Sequence, residues 1–166
     1  MTKLPLSDSE KLYLDAMSHY LWCAMKFFEG EYAVSTKDCK ISLMSNFDGA
    51  KCGKVEFKAK YMLDTNQIVI YGGLSLDPED LVDSIFHELI HWRQAIVQKS
   101  LYFKKYVYQS QIQQLKDWIQ NSHREPLVMY NDVVTNDIEY LNKPHEIEAR
   151  LLSARLMERW LILNGE

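Results

Sequence analysis

The sequence predicts an α+β fold in one domain over residues 1–166. A small antiparallel or mixed sheet lies beside a long central helix, and a C-terminal helix crosses that helix. Three observations carry this. Apolar residues recur at helical spacing at the start, the centre and the end of the chain. A run of apolar/polar alternation around a turn lies between the first two of these helices. The composition, 47% hydrophobic and 25% charged with only six Gly and four Pro, is that of a folded globular chain and excludes a disordered, collagen-like or disulfide-dense one. A domain of this length buries close to about 70% of its unfolded surface, enough for a real core.

The first helix opens at Ser7, where Glu10 three residues on completes a capping box. Leu12, Tyr13, Met17, Tyr20, Leu21, Ala24 and Phe28 form its apolar face, and Gly30 is the expected stop. Residues 32–35 and 41–44 are short strand candidates, followed by a turn at residues 46–49. From Val55 onward Val55, Phe57, Ala59, Tyr61 and Leu63 alternate with Glu56, Lys58 and Lys60. Asp64-Thr65-Asn66 turns the chain, and residues 67–71 return as an apolar strand ended by Gly72-Gly73. The central helix starts with Asp77 as N-cap and Pro78 in the first helical position, with Glu79 and Asp80 at its positive end, and runs to about Lys99. A Gln-rich amphipathic helix is expected over residues 108–121 and a loop with a short element over 124–141; Pro144 then opens a last helix to about Leu163.

Nineteen Lys and Arg against 23 Asp and Glu give a net charge of −4, which argues against a nucleic-acid partner. Tyr102, Phe103, Tyr106 and Tyr108 with Lys104 and Lys105 therefore read as a packed junction, not a base-stacking platform. Cys23, Cys39 and Cys52 are odd in number and form no CxxC pair, so they read as reduced thiols, although Cys39 and Cys52 could meet. No apolar leader or stretch long enough for a membrane span is visible, so no membrane association is expected and the expected location is cytoplasmic.

The chemistry is concentrated in the central helix, which contains His87-Glu88-Leu89-Ile90-His91, an H-E-x-x-H motif. Histidines four residues apart stand one above the other on a helix and can share a metal ion. Glu88 is rotated from His87 by about 100°, beside the metal position, where it can take a proton from a water. Asp80, Asp83, Ser84, His87, His91, Gln94 and Gln98 make one polar stripe on a helix otherwise covered by Leu81, Val82, Ile85, Phe86, Leu89, Trp92, Ile96 and Val97. A polar stripe on a buried helix needs partners, and a metal in a cleft supplies them.

A catalytic zinc takes three protein ligands and leaves one position open. The third is sought among His19, His123, Asp137, His145, Glu146 and Glu148. In the last helix Glu146 shares the apolar side with Ala149, Ser153, Met157 and Trp160, and is favoured; Ala149 would let this helix approach the metal helix closely. Glu148 falls toward Arg155 and Arg159, where a solvated ion pair is its expected role, and Arg150 offers Glu146 an i,i+4 ion pair as its alternative to metal binding.

His87-Glu88-Leu89-Ile90-His91, followed downstream by Glu146-Ile147-Glu148-Ala149, resembles the glutamate-ligand zincin metallopeptidases. The stretch from Tyr140 through Pro144 to Arg150, together with Gln94, is similar to small single-domain proteins of this kind in bacteria and phages. The resemblance covers the hairpin and the two helices, roughly half the chain; the thermolysin-type Asn-Glu-x-x-x-Asp pattern is missing. It implies a zincin-like fold with Zn²⁺ on His87, His91 and Glu146, Glu88 as general base, and a peptide or protein substrate cut by zinc-activated water. Tyr140, Tyr130 or His123 could stabilise the oxyanion; Tyr140 is favoured among the three for its place just before the ligand helix, with simple packing as its leading alternative role. Asp83, or an acid within residues 132–137, could orient a ligand histidine. The resemblance also gives the strand at residues 67–71 the role of an edge that holds extended substrate. The competing readings are a zincin-fold binding module with a structural or absent metal, and a regulatory partner using the hairpin edge; an intact Glu88 favours the enzyme.

Overall fold

The structure is a computed structural model that describes residues 7–44, 51–52, 55–56, 58–71, 77–102 and 144–165. These residues form an α+β arrangement of three helices, a three-stranded mixed sheet and a two-stranded ribbon. The expected turn at 46–49, helix at 108–121 and loop at 124–141 lie outside the described residues.

Helix α1 spans Asp8–Tyr32. The Ser7 carbonyl accepts the first helical N–H, from Lys11 at 3.0 Å. The helix passes through Gly30, the expected stop, and residues 32–35 do not form the expected strand. Ala33 instead takes the left-handed conformation, φ 51°, and the Val34 N–H closes back on the Glu29 carbonyl at 3.3 Å. That is a Schellman ending. The two helical residues beyond Gly30 carry Tyr32 into the core against Phe28, ring centroids 4.6 Å apart, and this burial outweighs the modest helix penalty of glycine.

Glu29 fastens the turn that follows. Its Oε1 accepts the Thr36 N–H and the Thr36 hydroxyl, both at 2.8 Å, and its Oε2 pairs with Lys26 Nζ at 2.7 Å. Lys26 and then the two Thr36 donors hold its pKa down from 4.5 to about 2. The carboxylate is thus favoured by the fold, so its contribution is complete above the unfolded value of 4.5 and is lost as pH falls through about 2. Glu29→Gln should cost about 1 kcal/mol at pH 7, a typical net worth for such hydrogen bonds. The difference from wild type should shrink toward pH 2, as read by urea unfolding at both values. An equal deficit at both would remove the carboxylate from the account.

Strands β1 (Lys40–Leu43), β4 (Ala59–Met62) and β5 (Gln67–Ile70) form the sheet, while β2 (Lys51–Cys52) and β3 (Val55–Glu56) pair antiparallel as the ribbon. The order is β1-β5-β4, with β5 parallel to β1 and antiparallel to β4. Tyr61 faces Ile68 and Lys40 faces Gln67 in the two registers. Ala59, Tyr61, Ile68 and Ile70 are buried, the period-two face expected of this hairpin. Asn66, also left-handed at φ 51°, closes the hairpin. Its Oδ1 accepts the Tyr61 hydroxyl at 2.9 Å, its Nδ2 donates to the Asp38 carbonyl at 2.8 Å, and its own carbonyl accepts the Lys40 N–H at 3.3 Å. One residue thus ties the hairpin to the entry of β1. Residues 67–70 are the central strand, not an edge, which corrects the substrate-edge expectation: both sides of β5 are already paired, and β4 and β1 are its neighbours.

Helix α2 spans Pro78–Tyr102, three residues beyond the expected Lys99. Asp77 caps it as expected: its Oδ1 accepts the Asp80 N–H and its carbonyl the Leu81 N–H, both at 2.9 Å. This helix is the centre of the packing. It touches α1, both strands of the hairpin, and α3 (Pro144–Asn164), and Leu81, Val82, Ile85, Phe86, Leu89, Ile90, Trp92 and Ala95 are buried in it. Phe27 of α1, Phe86 of α2 and Trp160 of α3 meet with ring centroids 5.5–6.0 Å apart, which fixes the three helices against one another. No helix among the described residues is long and apolar enough to cross a membrane.

Candidate metal centre

The i,i+4 spacing on α2 sets His87 and His91 on the same side, ring centroids 4.7 Å apart, with their Nε2 atoms 3.1 Å from each other. The first turn of α3 brings Glu146 onto this pair. Its Oε2 lies 3.3 Å from His87 Nε2 and its Oε1 3.1 Å from His91 Nε2. Ala149, fully buried behind Glu146, leaves room for α3 to lie against α2. His87, His91 and Glu146 thereby form a group that could hold a metal ion, as the helical phasing expected.

The geometry fits an ion. In a tetrahedron with bonds of 2.0–2.1 Å, neighbouring ligand atoms stand roughly 3.3 Å apart. The chemistry of the donors fits as well. Gln94, one turn beyond His91, places its Oε1 2.8 Å from His91 Nδ1, and its Nε2 donates to the His145 carbonyl at 3.2 Å and to Glu148 Oε2 at 2.6 Å. A carbonyl can only accept, so the amide nitrogen must face it and the amide oxygen must face His91. His91 Nδ1 therefore carries the proton. A neutral ring then turns the lone pair of Nε2 toward a carboxylate oxygen 3.1 Å away, an arrangement that asks for a positive charge between them, a proton or a metal ion. Burial disfavours the histidine cation, but Glu146, Glu88 and Gln94 outweigh it and raise the pKa of His91.

Side-chain exposure is 3% at His91, 5% at Glu146 and 22% at His87, so the group meets solvent on the His87 side. Glu88 is buried and leaves α2 toward the sheet, where one carboxylate oxygen, Oε2, accepts the Tyr61 N–H of β4 at 2.5 Å. Its charge is felt at His91. The base candidate is thus anchored to strand backbone on one side of the group while Glu146 closes the other.

Several expectations are corrected. Glu148 is not the expected solvated partner of Arg159. It is half-buried and binds Gln94, and Arg159 pairs with Glu31 at 2.7 Å. The reason is angular: Glu148, His145, Ala149 and Glu146 span a continuous arc of about 160° at 100° per residue, and this whole arc lies against α2. His145 is buried beside the group, its ring centroid 5.6 Å from that of His91, but it stands outside the set of converging ligand atoms. Asp83 shares an electrostatic influence with His87 but makes no hydrogen bond to it. The orienting partner is Gln94 on His91, a contact with the usual i,i+3 signature of a helix. His19 lies elsewhere, within reach of Cys23 Sγ at 3.6 Å, beside a cavity of about 720 Å³ at the start of α2. Cys39 is a free, buried thiol whose pKa burial pushes up to about 12, which makes it inert. Tyr140, Tyr130, His123 and residues 132–137 lie outside the described residues.

Comparison with protein-family models, with curated proteins and with solved structures returns no match to this chain.

Proposed function

We propose that this protein is a zinc-dependent hydrolase of the zincin kind that cleaves a peptide or amide bond. The observation that carries the reading is the convergence of His87 Nε2, His91 Nε2 and a Glu146 carboxylate within 3.1–3.3 Å of one another, with a second acid, Glu88, held next to them. Two imidazoles and one carboxylate, the ligand group found among the described residues, match a catalytic zinc set, in which three ligands leave a coordination position open. When bound, zinc supplies a Lewis acid that polarises a water and the carbonyl of the bond to be cut.

The chain's own residues supply the rest. Glu146 brings the negative charge that lets a neutral histidine pair bind a divalent cation. Glu88 accepts a proton from the attacking water, and its Oε2 is fixed for that task by the Tyr61 N–H. Tyr140 is the proposed oxyanion donor, on its place in the sequence just before the helix that carries Glu146. A purely structural metal site would have no use for a buried carboxylate anchored beside its ligands, and this favours the enzyme over a binding module.

The test is a peptide-library digest read by mass spectrometry with three preparations: zinc-loaded, chelator-stripped, and stripped then reloaded. Cleavage in the first and third only is the expected result. Cleavage that survives stripping would overturn the metal dependence, and a zinc-replete protein that leaves the library intact would favour the binding module.

A further inference from the structure

We infer that Gln94 and Glu148 form a clamp that sets the tautomer of His91 and thereby the metal affinity of the centre; the affinity part of this inference rests on the metal reading above. The clamp runs in one direction only. The His145 carbonyl and the Glu148 carboxylate draw the Gln94 amide nitrogen toward α3, at 3.2 and 2.6 Å. The amide oxygen is therefore left for His91 Nδ1, at 2.8 Å. With its proton held on Nδ1, His91 presents a bare Nε2 to Glu146 and His87. Without the clamp the neutral ring could place its proton on Nε2, where it would donate to Glu146 Oε1 at 3.1 Å and occupy the coordination position itself.

Gln94 is thus a positioning residue, and so is Glu148, although neither touches the ion. Both side chains also join α2 to the first turn of α3. The element that delivers Glu146 is therefore the same one that orients His91. Outer-shell partners of ligating histidines are commonly worth on the order of 10–100-fold in metal affinity.

Three variants test this. Gln94→Met keeps the length of the side chain and removes the acceptor; zinc affinity, measured by competition with a chromophoric chelator, should fall on the order of 10–100-fold. Gln94→Glu keeps an acceptor for His91 but sets two carboxylates against each other, and should also weaken binding. Adding Glu148→Gln to it restores a donor facing an acceptor at position 148, while the His145 carbonyl still faces an oxygen, and should recover part of the affinity lost. A residue that merely fills space would give no such rescue.

The second readout is nitrogen-15 NMR of the metal-free protein at alkaline pH, where the ring is neutral. Wild type should show the Nδ1–H tautomer of His91, and Gln94→Met should show a shift toward Nε2–H. An unchanged tautomer in Gln94→Met, or zinc affinity within about threefold of wild type, well short of the usual outer-shell effect, would overturn the proposal. Because the tautomer is read without metal, it decides the role of Gln94 even if wild type binds no zinc, a result that would defeat the functional reading instead.

Discussion

Glu146→Gln is expected to weaken zinc binding by more than the roughly 10–100-fold that loss of an outer-shell partner costs, whereas Glu148→Gln should cost less than about tenfold on that scale. Both residues stand in the first turns of the same helix, and both are turned toward α2. Their roles differ by what each oxygen meets. Glu146 places its two oxygens on the two imidazole nitrogens, at 3.3 and 3.1 Å. Its amide would remove the one negative charge of the ligand group found among the described residues and put an NH₂ group in range of a divalent cation. Glu148 meets Gln94 Nε2, and an amide there still offers an oxygen to that N–H. Chelator competition ranks the two variants, and elemental analysis gives the zinc content of wild type, expected at one per chain. The reverse ranking would transfer the third ligand to Glu148 and require a different arrangement of the first turn of α3.

Much of this centre is legible in the amino-acid sequence, and the reasons are local. The His87–His91 pair and the inward phase of Glu146 follow from a period of 3.6 residues, the Asp77 cap follows from N-cap chemistry, and such short-range rules suffice where an element is regular. The hairpin from Ala59 to Ile70 is legible for the same reason, since alternation and the left-handed Asn66 both mark it. What escapes is whatever depends on which elements meet. The bond from Gln94 to the His145 carbonyl joins residues 51 apart, and nothing within a helical turn of either announces it. The parallel addition of β1 to β5 is likewise a choice among partners with similar apolar patterns. Glu148 misleads because a helix that lies flat against another buries a broad arc, not a narrow stripe, so a residue far in phase from Glu146 can still face the same neighbour. Gly30 misleads because its local preference is weaker than the burial of Tyr32, two residues on, against Phe28.

Glu88→Gln should abolish measurable hydrolysis, a loss on the order of 10² to 10⁴ in rate for removal of a general base, while leaving zinc content at the wild-type value. The separation of these two effects comes from where Glu88 points. It is next to His87 in sequence, yet it leaves the helix toward β4 and is outside the converging ligand atoms, which come from His87, His91 and Glu146. The glutamine amide is nearly the same shape. Its oxygen can go on accepting the Tyr61 N–H, so the side chain stays anchored, and its NH₂ then stands where a proton acceptor is needed. Fold, anchor and metal are preserved and only basicity is lost. Glu88→Asp is the complementary probe: it keeps the base but shortens the reach by one methylene, so the carboxylate cannot serve both Tyr61 and a water at the metal position. Activity between wild type and Glu88→Gln is expected from it. Wild-type rates in Glu88→Gln, with zinc present in both proteins, would reject Glu88 as the base. Loss of zinc from Glu88→Gln would mean instead that its carboxylate belongs to the ligand set, and the geometry of the group would have to be redrawn around four protein donors with no open position for substrate.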